Sequence, residues 1–96
     1  MPTQFDAIGE PARRELLDLL RVRGPSAVND LVAETGLSQP NVSRHLRVLR
    51  EAGLVSVRVA GQRRIYELEL EGLAELALWL TPYVVLRQQP ARRPGS

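Results

Sequence analysis

Ninety-six residues, 44% of them hydrophobic and 25% charged, suffice for one compact domain and are too few for a multidomain enzyme. The chain has no cysteine, which excludes disulfides, thiolate metal sites and thiol redox sensing together. The formal charge of +2 is modest but unevenly spread: Arg44, Arg47, Arg50, Arg58, Arg63 and Arg64 stand against Glu51 alone in residues 38–64, whereas residues 65–86 carry four glutamates and no base. A basic segment between acidic flanks fits attraction of phosphates to one face of a domain. No apolar run approaches the roughly 18 to 20 residues of a membrane span, and Met1-Pro2-Thr3-Gln4 has neither a basic nor an apolar leader pattern. The expectation is a soluble, cytoplasmic protein without membrane contact.

Phe5 and Ile8, three residues apart, predict a short helix over about 3–9 whose apolar side needs a partner. Pro11 opens a second helix over 11–23, with Leu16, Leu17, Leu19 and Leu20 as its stripe and Gly24-Pro25 as its stop. Ser26 is the expected N-cap of a third, 27–35, which Gly36 ends. Ser38 then caps a fourth helix, about 39–52, with Pro40 in its first turn and Val42, Leu46 and Leu49 on one side. After Gly53 the apolar period falls from near four to near two. Leu54 to Val59 and Arg64 to Leu68 therefore read as a hairpin around Ala60-Gly61-Gln62-Arg63, the whole spanning about 54–69.

The last helix, about 70–87, is apolar nearly all round, as expected of a helix covered on both sides, and Pro82 should kink or restart it. Residues 89–96, with Pro90, Pro94 and Gly95, read as a disordered tail behind a domain of 1–88. A chain this short has little core against which to cover both sides of that helix, so a second copy is the expected partner.

Helix, glycine turn, helix and hairpin, in that order, is the layout of a winged helix-turn-helix: a mainly α fold of about five helices with a two-stranded wing. At about 100° per residue, Leu46 and Leu49 lie within about 40° of Val42, while Pro40, Ser43, Arg44 and Arg47 lie about 100° or more away. Asn41 falls at a flank, and Gln39 sits at the N-terminal tip. Amides pair bidentately with adenine and guanidiniums with guanine or phosphate, so this face suits a B-DNA major groove. Arg63 and Arg64 suit contact of the wing with the backbone or minor groove.

The run from Leu37-Ser38-Gln39-Pro40-Asn41-Val42-Ser43-Arg44-His45-Leu46-Arg47 to Ala52-Gly53-Leu54-Val55 resembles the DNA-binding signature of the ArsR family of winged-helix repressors. The likeness extends from about Ala7 to Leu70 and includes the Gly9-Glu10-Pro11-Ala12-Arg13-Arg14 opening. It implies a repressor that occupies an operator, with Gln39, Asn41, Ser43, Arg44 and His45 at the major groove, and that dimerises through its first and last helices. Phe5, Ile8, Leu73, Leu76, Trp79, Leu80 and Tyr83 are the candidate dimer residues. An isologous pair sets two recognition helices about 34 Å apart and predicts an inverted-repeat operator in double-stranded DNA.

Metal-sensing members of that family need several converging ligands, and a chain with one histidine and no cysteine resembles the metal-independent branch instead. No cofactor is expected. His45 borders the apolar side of its helix, so a structural hydrogen bond and a DNA contact both remain open. Trp79 and Tyr83 fit either an interface or a ligand pocket. Catalysis fails on inventory, with no Cys, no Lys, one His and no phosphate-cradling glycine loop. A winged helix used only for protein assembly is the alternative, distinguished by having no need of the polar Gln39 to Arg47 face or of a basic wing.

Overall fold

A computed structural model describes residues 2–88. The tail at 89–96 lies outside the described residues. The described residues form five helices: α1 (Gln4–Ile8), α2 (Pro11–Arg23), α3 (Val28–Thr35), α4 (Gln39–Glu51) and α5 (Leu70–Gln88). Three strands, β1 (Ser26–Ala27), β2 (Val55–Ala60) and β3 (Arg63–Leu68), form one antiparallel sheet in the order β1-β3-β2. The expected architecture is the observed one, with two local corrections.

The first correction is β1. Ser26 and Ala27 pair with Tyr66 and Ile65, so the wing has a third strand. Two residues show no period, and their pairing depends on a strand far along the chain. The second follows from it. With Ser26 in the sheet, its hydroxyl donates to the Gly24 carbonyl at 2.9 Å, and the N-cap of α3 is Ala27. The Asp30 carboxylate accepts the Ala27 N–H at 3.2 Å, supplying from inside the helix the stabilisation that a capping serine would bring.

The other ends follow local chemistry. Thr3 Oγ1 accepts the Asp6 N–H and the Asp6 carboxylate accepts the Thr3 N–H, both at 3.0 Å, a reciprocal cap that offsets the shortness of α1. Ser38 Oγ accepts the Asn41 N–H at 3.3 Å. Helix α4 closes on Gly53, whose φ of +78° lets its own N–H reach the Arg50 carbonyl and the Leu54 N–H reach that of Leu49, at 3.0 and 2.9 Å. In the hairpin Ala60 pairs with Arg63, leaving a two-residue turn, and Gly61 at φ +66° takes the left-handed value such turns need.

Leu16, Leu31, Val42, Leu46, Leu49 and Leu54 are fully buried and tie α2, α3 and α4 to the root of the wing. Each contributes about 1.5–3 kcal/mol by leaving water. Among the residues whose side chains are described, helix α5 joins this core at its start, through Gly72, Leu73 and Leu76. Every residue from Ala77 to Val84 is exposed, and the helix continues through Pro82 without the restart that the sequence allowed. The Thr81 hydroxyl, one residue before the donor that proline removes, donates to the Ala77 carbonyl at 2.5 Å. Among the described residues no helix is long and apolar enough to cross a membrane.

Gly72 sets the seat of α5. A β-carbon there would stand 2.0 Å from the Gly53 carbonyl oxygen, a backbone atom that cannot swing aside. Gly72→Ala should therefore cost about 2 kcal/mol or more despite the better helix propensity of alanine. Urea unfolding of the two chains side by side checks this.

Candidate nucleic-acid interface

Burial of Val42, Leu46 and Leu49 fixes the rotation of α4 about its own axis. The opposite side is then necessarily outermost: Gln39, Pro40, Asn41, Arg44 and Arg47 are exposed and Ser43 is half-buried. These six expected residues lie along one helix. Arg63 and Arg64, also exposed, begin β3 at the far end of the wing. The two groups meet in one place, a groove of about 270 Å³ between the starts of α3 and α4 and the hairpin tip, where Gln39 lies with Arg63 and Arg64.

Asn29 and Gln62 line the same groove and were not singled out from the sequence. The signal available for Gln62 was its place at the hairpin tip. Asn29 carried none, because its neighbours come from a strand far along the chain.

The arginines differ in how firmly they are held. Arg47 Nε reaches Glu51 at 3.4 Å one helical turn on, and Arg58 lies 3.7 Å from Glu67 across the wing. Arg63 reaches Asp30 at 3.3 Å, which ties the wing to the first turn of α3. Arg44 and Arg64 have no ion-pair partner among the described residues. Exposed pairs of this kind contribute about 0–1 kcal/mol each, so a phosphate can take over Arg47 or Arg63 at small cost.

His45 is buried at the edge of this face. Its Nδ1 lies 3.3 Å from Arg13 Nη1, and because a guanidinium only donates, Nδ1 is the acceptor and the imidazole is neutral. The same Arg13 donates from Nε to the Ala7 carbonyl at 2.7 Å and from Nη2 to that of Asp6 at 3.2 Å. Burial, then the Arg13 and Arg44 guanidiniums, hold the imidazole below its ordinary 6.5, against a weaker pull from Glu10. Of the two readings open at the sequence level, this contact is the structural hydrogen bond.

A separate apolar surface lies on α1 and α5. Phe5 meets the Trp79 edge at a centroid distance of 5.2 Å and 77°, and Trp79 meets Tyr83 at 5.0 Å. These rings remain 48%, 54% and 59% exposed. Gln4 donates to Glu75 at 2.8 Å beside them. Leu80 is exposed, while Ile8 and Leu73 are half-buried along an apolar groove of about 370 Å³. Leu76 belongs to the core of the subunit itself, beneath this surface.

A helix pair with an outward polar face, joined to a basic antiparallel hairpin, defines the winged helix-turn-helix class. Comparison with known proteins narrows it. The family described as bacterial regulatory protein, arsR family, matches residues 10–57. Transcriptional repressor SdpR of Bacillus subtilis is 32% identical over 88% of this chain and 92% of its own length. HTH-type transcriptional regulator Rv2034 of Mycobacterium tuberculosis is 43% identical over 75% of this chain and 66% of its own length, so the match spans about two thirds of that relative.

A crystal structure of a possible transcriptional regulator for arsenical resistance superposes with a TM-score of 0.78 at 36% identity, covering 94% of this chain and all of that one. The solution structure of a homodimeric winged helix-turn-helix DNA-binding domain from Mycobacterium bovis gives 0.67 at 27% identity, covering 92% and 81%. The chain belongs to the ArsR family of DNA-binding transcriptional regulators.

The His45 contact has a consequence for stability. Because the folded imidazole resists protonation, the unfolded chain binds the extra proton first as pH falls below 6.5. Stability should be full above that value, decline through the window beneath it, and level off below the folded pKa. His45→Gln, which keeps an acceptor and does not titrate, should lack this decline in chemical denaturation series from about pH 7.5 to about pH 5.

Proposed function

We propose that this chain is a sequence-specific repressor that binds an inverted-repeat operator as a homodimer, with α4 in the major groove and the β2–β3 wing against the flanking backbone. The observation that carries the reading is the exposed Gln39 to Arg47 face beside Arg63 and Arg64, turned outward by a buried stripe. Gln39, Pro40, Asn41, Ser43, Arg44 and Arg47 then meet the groove, and Arg63 and Arg64 meet phosphates or the minor groove. Residues 1–88 serve as both DNA-binding and dimerisation domain. Repression is supported by the likeness to the Bacillus subtilis repressor SdpR and by the small size of the domain, which suits competition with polymerase better than its recruitment.

Dimerisation is supported by the homodimeric Mycobacterium bovis relative and by the exposed Phe5, Trp79, Leu80 and Tyr83, with Ile8 and Leu73 at their margin and Leu76 supporting them from below. A patch of three mutually contacting, exposed aromatic rings, one on α1 and two on α5, is the kind of surface that a second copy covers. We place the chain in the metal-independent branch because it has no cysteine and a single histidine, whose Nδ1 is already engaged by Arg13. Its own promoter is the first operator to try.

The test is binding of the full chain to a fluorescent duplex of its own upstream region, titrated across salt beside an unrelated duplex of equal length. Specific autorepression predicts tighter binding to the first, a steep fall of log affinity with log salt, and loss of about two units of that slope in Arg44→Ala/Arg47→Ala. Trp79→Glu should sediment as a monomer and lose the high-affinity complex, while added zinc or arsenite should leave wild-type binding unchanged. Equal weak binding to both duplexes would refute autorepression.

A further inference from the structure

The recognition helix and the dimer surface lie on different elements, so something must hold one at a set angle to the other. Leucine packing alone resists separation well and rotation less well, because apolar contacts carry little directional preference. The directional contacts between these parts converge on one side chain. Arg13, in the first turn of α2, donates to the carbonyls of Asp6 and Ala7 at the end of α1, and its third donor meets His45 in the middle of α4. Arg14 adds a bond to the Ile8 carbonyl at 2.6 Å. Helix α1 in turn is joined to α5 by Phe5 on Trp79 and by Gln4 on Glu75.

We infer that Arg13 and His45 are positioning residues for DNA recognition, a rigid link that fixes the angle of α4 to the α1–α5 dimer frame and so sets the spacing between the two recognition helices. The inference rests on the homodimer reading above. The planar guanidinium suits the task, since its donors point in set directions and spend themselves on two helices at once. The neutral imidazole is equally needed, because an imidazolium has no acceptor for Arg13 and would face the cations of Arg13 and Arg44 with only Glu10 opposed to them. Neither residue needs to touch DNA to influence which operators are read. A helix turned by a few degrees misplaces both base-contacting tips relative to a duplex of fixed pitch.

The absence of native cysteine allows one spin label per subunit, at Arg50→Cys on the exposed side of α4. Sedimentation of the labelled chain comes first. A monomer there would overturn the dimer reading and this inference with it. In the dimer, the distance distribution between the two labels should be a single narrow peak for the parent and for His45→Gln, which preserves an acceptor. His45→Leu, which fills the space without one, should lose that peak.

DNA reads the same link in unlabelled chains. On an inverted repeat recovered from random sequence with the wild type, one extra base pair between half-sites should cost the wild type and His45→Gln about tenfold in affinity and His45→Leu less than about threefold. Should His45→Leu fail to fold, Arg13→Lys keeps the charge but cannot bridge both helices, and it should show the same losses. A folded dimer of His45→Leu or Arg13→Lys with the narrow peak and the full spacing penalty would overturn the inference while leaving the dimer reading intact, as would a His45→Gln that behaves like His45→Leu.

Discussion

The burial of one stripe on α4 governs most of what this molecule presents to its surroundings. Val42, Leu46 and Leu49 are wholly removed from water, and together they contribute roughly 5–9 kcal/mol of apolar transfer, comparable with the whole net stability of a small domain. No rotation of α4 keeps that gain and turns Gln39, Asn41, Arg44 or Arg47 inward. Helix α2, helix α3 and the root of the wing form the seat for that stripe. The polar face is outermost because the apolar one has been used.

Much of this was legible in the sequence where the signal is local. Pro11, Ser38, Gly53 and Gly61 mark their ends or turns through their own backbone chemistry, and each does so in the structure. Ser26 misled for an instructive reason: a serine before a helix can cap it or pair in a sheet, and the choice here is made by Tyr66 and Ile65. Local reading cannot see such partners. The same limit applies to His45, which borders the apolar side of its helix and whose partner, Arg13, lies 32 residues away in the chain.

Helix α5 shows the division most clearly. Its all-round apolar character was plain from composition, and with it the expectation of a second copy as cover. Which residues would be used at home was not plain. Gly72 docks on the Gly53 carbonyl, which draws Leu76 into the core and leaves Trp79 and Tyr83 outside, with the Trp79 edge against Phe5. In the proposed function the exposed face of α4 and the aromatic surface serve two kinds of contact, and the Arg13 bridge runs between them.

The central claim is that α4 reads base edges in the major groove. It is tested most directly by replacing guanine and adenine with their 7-deaza analogues, position by position, in a duplex that the protein binds tightly. This change removes the N7 acceptor from the major groove and leaves Watson–Crick pairing and the minor groove intact. The account predicts losses of about tenfold or more confined to two patches roughly one helical turn apart, related by the symmetry of the operator. Binding that tolerates every such replacement would place the recognition elsewhere and contradict the account.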